Sequence, residues 1–152
     1  MTDDIREEWE PLVGRYILIC GDIELALCQL YWNLMLGKTQ KININKKSFK
    51  EKAIEIRDIL KNNRSETLEK LIERVITVTD KRNIIAHNPL YLDVYMNSDG
   101  GFNYIKTIRS LRDNSKHITI DNLSKEIEKA KLVSQELIEQ VMNAGGFRGE
   151  NS

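Results

Sequence analysis

The sequence predicts an all-α fold, a four-helix bundle with a small β-hairpin inserted between helices 3 and 4. Three observations predict it. Apolar residues recur every three or four positions in four long stretches, the repeat of a single helix face. Between the third and fourth stretches the pattern changes to alternation around Asn97-Ser98-Asp99-Gly100-Gly101, which reads as two strands and a turn. The chain has 152 residues and is 41% hydrophobic, enough to close one core without disulfides or metals.

Helix 1 is expected from about Ile5 or Pro11 to Leu36. Trp9, Leu12, Tyr16, Ile19, Ile23, Leu27, Leu30 and Leu34 share one face, and Leu18, Leu25 and Trp32 form a second line. Two apolar lines imply cover on more than one side, by the bundle or by another subunit. Pro11 either starts the helix or kinks it, and Gly37 ends it. A Lys/Asn-rich connection over 38–47 follows. Ser48-Phe49-Lys50-Glu51 forms a capping box for helix 2, which runs to about Leu60 on Phe49, Ala53, Ile56 and Leu60, with a turn at 61–64. Ser65 is placed as the N-cap of helix 3, with Glu66 and Glu69 at its positive end. Pro89 disfavours helical geometry at Asn88, so helix 3 should stop near His87. The hairpin spans 90–96 and 102–108, and His117 to Ile120 suits a further short strand. Asp121 or Asn122 should cap helix 4, whose core face carries Leu123, Ile127, Ala130, Val133 or Ser134, Leu137, Ile138 and Val141. The domain is expected over 1–144 and a frayed tail over 145–152.

Charge and composition narrow the functions. Lys plus Arg equals Asp plus Glu at 23 each, so the whole chain is not a polycation that coats nucleic acid. Cys20 and Cys28 lie on one helix, more than about 10 Å apart along its axis, too far for a mutual disulfide. They read as buried thiols, and with an acidic start that lacks a signal-peptide pattern they suggest a cytoplasmic protein. The apolar stretch over 16–36 is interrupted by Asp22, Glu24, Gln29 and Asn33, which marks a core helix and no membrane contact. No metal-ligand spacing is present, and no cofactor is implied.

The candidate site lies at the end of helix 3. An apolar face of Leu68, Leu71, Ile72, Val75, Ile76 and Val78 gives way to Thr79, Asp80, Arg82, Asn83 and His87. Asp80, Asn83 and His87 share a face by their three- and four-residue spacing. Arg82 sits about 140° around from His87, with a side chain long enough to swing toward a common anion. Arg82 can grip a phosphate bidentately. His87 can move a proton near neutral pH, and Asn83 can orient the imidazole or a substrate oxygen. Asp80 is a supporting carboxylate.

The string Arg82-Asn83-Ile84-Ile85-Ala86-His87 resembles the Arg-x4–6-His motif of the HEPN superfamily, including its frequent polar residue after the arginine. It stands at the end of the third of four helices, as that motif does, and a β-rich excursion and a last amphipathic helix follow, as in a prokaryotic group of the superfamily. The resemblance covers roughly residues 12–142. It implies an up-and-down bundle, a homodimer with two motifs facing each other, and metal-independent cleavage of single-stranded RNA in toxin or antiviral systems. His87 would act as acid or base, Arg82 would stabilise the phosphorane, and Asn83 would assist orientation. Some family toxins carry a tyrosine two residues after the histidine, modified by a nucleotidyltransferase antitoxin. Here Pro89 stands there, so that modification is not implied; an antitoxin or other regulatory partner is.

Other features bear on the same site. Lys38, Lys41, Lys46, Lys47, Lys50 and Lys52 give the helix 1–2 connection a local positive charge, and this run either contacts an RNA backbone, through Lys46, Lys47 and Lys50, or is a solvated loop. Asp22 and Glu24 either face solvent and local cations or orient Arg82 or His87 across the bundle. Lys106, Arg109, Arg112 and Lys116 form a second basic cluster that would border the site if the chain folds back over helix 3. The rival functions are a noncatalytic helical interaction module, in which the motif ties helix 3 to the hairpin or a second subunit, and a nucleotide-binding accessory subunit.

Overall fold

A computed structural model describes residues 2–63 and 65–147. Helix α1 spans Thr2–Leu34, a 3-10 turn Ile44–Lys46, α2 Phe49–Asn63, α3 Glu66–His87, β1 Leu90–Met96, β2 Phe102–Arg109, β3 His117–Thr119 and α4 Ile120–Asn143. The molecule is mainly α, with a small three-stranded antiparallel sheet in the order β1-β2-β3.

The core is built from the predicted faces. Tyr16, Ile23, Leu27 and Leu30 of α1 meet Ile56 and Leu60 of α2, Ile72 and Val75 of α3, and Leu123 and Leu137 of α4. Helix α4 is the principal neighbour of α1, and α2 packs chiefly on α3. Helix α1 begins earlier than expected and runs through Pro11. Proline removes one helix hydrogen bond, but buried Trp9 and Tyr16 anchor the chain on both sides of it. The polar 38–47 connection is also better tied than its composition suggests. Ile44 is fully buried, and the Ile42 amide donates to the Tyr31 hydroxyl at 2.8 Å.

Several helix ends differ in detail from expectation. The Ser48/Glu51 capping box forms: the Ser48 amide donates to the Glu51 carboxylate at 2.7 Å and the Glu51 amide to Ser48 Oγ at 3.3 Å. Helix α2 continues through positions 61–63, where a turn was expected, while position 64 lies outside the described residues. Ser65 occupies the N-cap of α3 but its side chain makes no capping bond. The cap of α4 is Thr119, one position before the helix and ahead of the predicted Asp121 or Asn122, and its hydroxyl accepts from the Asn122 amide at 3.2 Å. The predicted frayed tail begins with an ordered segment. Gly146 donates to the Val141 carbonyl at 2.8 Å and its own carbonyl accepts from Asn33 Nδ2 at 3.0 Å; residues 148–152 lie outside the described residues.

The sheet is anchored at one end only. Leu90 pairs with Ile108, and Ile108 with Ile118, and both isoleucines are buried in the core. The far end, where Met96 pairs with Phe102, is exposed. Gly100 closes its turn at φ 86°, a conformation that favours glycine. Strand β3 leads straight into α4, so the sheet fixes the β2–β3 loop over 110–116 beside the end of α3.

Candidate site at the C-terminal end of α3

Helix α3 stops at His87 because Asn88 is extended (φ −126°, ψ 149°) ahead of Pro89, as the proline demands. The Asn88 side chain then joins two segments. Its Nδ2 donates to the Ile84 carbonyl at 2.9 Å, and its Oδ1 accepts from the Leu111 amide at 3.2 Å. One of the carbonyls freed at the helix end is thereby satisfied, and the β2–β3 loop is held against α3. The loop also knits itself together. Ser110 Oγ accepts from the amides of Arg112 and Asp113, each at 3.3 Å, and the Ser110 amide donates to the Lys116 carbonyl at 2.9 Å. The Asp113 carboxyl is held below its usual range by hydrogen bonds from Ser115, with a smaller contribution from the Lys116 charge.

Two open grooves result, one on each side of Asn83 and Asn88. The first, of about 580 Å³, is lined by Lys50, Asp80, Lys81, Asn83, Asn88, Ser110 and Lys116 together with Thr77 and Ile84. The second, of about 570 Å³, is lined by Asn83, His87, Asn88, Ser110, Leu111 and Arg112. The shared helix face of Asp80, Asn83 and His87 therefore exists, and Asn83 is the hinge between the grooves. Asp80 is occupied by Lys50 at 2.7 Å. His87 is exposed and, among the described residues, has no hydrogen-bond or ion-pair partner.

Arg82 departs from the expected constellation. Its guanidinium donates to Asn83 Oδ1 at 3.4 Å, but Arg82 lines neither groove. It is half-buried toward α1, where its charge opposes the upward shift of the Cys20 thiol. Arg82 and His87 of one chain thus diverge, and the expected swing of Arg82 toward an anion shared with His87 does not occur. The cation beside His87 is Arg112 instead.

The remaining candidates separate by their partners. Glu24 is paired with buried Lys52 of α2, so its carboxylate serves that lysine and not Arg82 or His87. Asp22 is exposed on α1 and lines neither groove. Lys46 and Lys47 are exposed and also lie outside both grooves, whereas Lys50 lines the first. In the second basic cluster, Lys106 is held by Glu8 at 3.1 Å and Arg109 by Asp93, while Arg109 also lies over the Tyr91 ring at 5.6 Å. Arg112 and Lys116 are the two members that border the site. Sequence reasoning missed Asn88, Ser110 and Lys81, because their roles come from the docking of a loop that leaves no periodic signal.

Among the described residues no group of three or more His, Cys, Asp or Glu side chains is placed to hold a metal ion, and no helix is long and apolar enough to cross a membrane. No protein-family model, curated protein or solved structure matches the chain.

Proposed function

We propose that this protein is a HEPN-like, metal-independent endoribonuclease acting on single-stranded RNA in the cytoplasm, with its reacting groove at His87. The observation that carries the reading is the division of labour at the end of α3. Asn88 supplies the structural tie, which leaves the His87 imidazole unengaged in an open groove beside Asn83 and Arg112. A histidine retained only to fix the helix end would be expected to bond to the loop it borders. The charge distribution supports the same reading: Lys81, Arg112 and Lys116 converge on the two grooves of a chain with zero net charge. Such a local cluster can hold a phosphate backbone without a polycationic surface.

In this reading an RNA phosphate sits by Arg112, and the guanidinium and the Asn83 amide bind its non-bridging oxygens. The 2′-oxygen attacks the adjacent phosphorus, the bond to the 5′-oxygen breaks, and the products are a 2′,3′-cyclic phosphate and a 5′-hydroxyl. His87 either accepts the 2′-hydroxyl proton while water protonates the leaving 5′-oxygen, or donates to the 5′-oxygen while water takes the 2′-hydroxyl proton. A homodimer is part of the HEPN-like reading, as is a role in toxin or antiviral defence with a regulatory protein partner. A second copy placed so that two motifs meet would add Arg82 to the site; the cations of one chain's own grooves support phosphate binding without it. Incubating single-stranded RNA with the full chain and with His87→Ala tests the reading. Cleavage by the native chain alone is expected, and equal cleavage by both would remove His87 from the reaction.

The rival interaction module has its own supporting observation, the exposed apolar residues Val94, Met96, Phe102 and Tyr104 at the free end of the hairpin. It predicts that RNA is neither bound nor cut.

A further inference from the structure

The long helix α1 carries a feature that RNA chemistry does not use. Leu18 is 74% exposed and Leu25 56% exposed, on the face opposite the core. Gly14 and Gly21 interleave with them at the alternating three- and four-residue steps of a helix seam. Glycine is among the poorest helix formers, and a Cβ at either position would meet nothing within 4 Å. The fold of a single chain therefore gives no steric reason for these two glycines. Small residues at a seam let another helix backbone approach closely, and large ones beside them fill the space that the small ones leave.

The pattern is complementary to itself in one direction. Positions 14 and 25 share a midpoint with positions 18 and 21, between Ile19 and Cys20. If a second α1 lies antiparallel about a two-fold axis at that point, Leu18 falls on the partner's Gly21 and Leu25 on the partner's Gly14, with both reciprocal contacts. Arg15 and Asp22 flank this seam on one side, both exposed and neither in an ion pair among the described residues. Their midpoint lies one residue from the seam's, which sets Arg15 about 3 Å along the axis from the partner's Asp22, within reach of the long arginine side chain. Arg15 thus comes opposite the partner's Asp22, and Asp22 opposite the partner's Arg15.

We infer that the chain forms a two-fold dimer through an antiparallel α1–α1 seam, with Leu18 and Leu25 set over the partner's Gly21 and Gly14 and with Arg15 paired to the partner's Asp22. Opposite charges in register select this orientation, because a parallel pair would not bring Arg15 to Asp22. The seam lies away from the RNA-site candidate. Tyr16, about 160° around α1 from Leu18, donates its hydroxyl to the Val78 carbonyl of α3 at 3.1 Å. Helix α3 is therefore on the far side of α1, so this dimer is not the facing-motif dimer of the HEPN resemblance, and it leaves each His87 groove with the cations of its own chain. The inference is independent of RNA cleavage.

Sedimentation equilibrium of the full chain at micromolar concentration tests it, with circular dichroism to confirm that each variant is folded. The native chain is expected to be a dimer and Leu18→Glu a monomer. Arg15→Asp and Asp22→Arg should each weaken association roughly 10-fold or more by setting like charges opposite each other, and the double variant Arg15→Asp/Asp22→Arg should restore it. A native monomer would overturn the inference, as would a dimer indifferent to Leu18→Glu. If Leu18→Glu fails to fold, the charge-reversal set decides: single reversals without effect, or a double reversal no better than the singles, would overturn the antiparallel register.

Discussion

Replacing Asn88 with alanine separates structure from chemistry at the end of α3. The side chain makes two hydrogen bonds, to the Ile84 carbonyl at 2.9 Å and from the Leu111 amide at 3.2 Å. Each is worth about 0.5–1.5 kcal/mol net. Both lie at a half-exposed helix end, where water replaces part of what is lost, so Asn88→Ala should cost about 1–2 kcal/mol. For a chain of this length that lowers Tm by about 2–8 °C. His87 has no partner among the described residues, so His87→Ala should stay within about 0.5 kcal/mol of the native chain. Urea titrations and thermal melts of the two variants make the comparison. If His87→Ala is as destabilising as Asn88→Ala, the imidazole is a structural tie and the division of labour argued above is wrong. If Asn88→Ala has no effect, the loop is held against α3 by other contacts.

Further expectations follow from how the charges are paired. Lys116→Ala and Arg112→Ala should each reduce the salt dependence of RNA binding by about 0.7 in slope, whereas Lys106→Ala, already neutralised by Glu8, should leave it unchanged; fluorescence anisotropy across a salt series reads both. Glu24→Ala leaves buried Lys52 without its carboxylate and should cost about 1–3 kcal/mol in urea unfolding, less than a fully buried pair because Glu24 is itself one-third exposed. Burial pushes the Cys20 thiol up to about 12 and the Cys28 thiol above its usual value of 9.0. The folded state therefore keeps these protons more tightly than the unfolded chain. Their linkage leaves stability unaffected below pH 9 and erodes it as pH rises toward 12, and Ellman's reagent at pH 8 should label the thiols only after denaturation.

The sequence revealed most where local chemistry decides the outcome. The faces of α1, α3 and α4 were readable because core packing repeats with the helix. The Ser48/Glu51 box and the stop at Pro89 were readable because caps and prolines act within a few residues. The N-cap of α4 was misplaced because β3 runs directly into the helix and Thr119 serves both elements. Spacing placed Asp80, Asn83 and His87 along one helix face, but the fold divides them between two grooves that share Asn83. What spacing could not reveal was the neighbour of that face. Lys106, Arg109, Arg112 and Lys116 look alike in sequence, and only the fold shows that Glu8 and Asp93 neutralise the first two while the last two border the grooves. The capture of Glu24 by Lys52 and the turn of Arg82 toward α1 are long-range outcomes of the same kind.

The central claim, cleavage that uses His87 and the RNA 2′-hydroxyl, is tested most directly with two matched substrates in EDTA. One is a single-stranded RNA with a mapped cleavage site, and the other carries a single 2′-deoxy substitution there. The account predicts that the native chain cuts the first to a 2′,3′-cyclic phosphate and a 5′-hydroxyl and leaves the second intact at that position, and that His87→Ala cuts neither. Cleavage of the 2′-deoxy strand at the same position, or undiminished cleavage by His87→Ala, would contradict it.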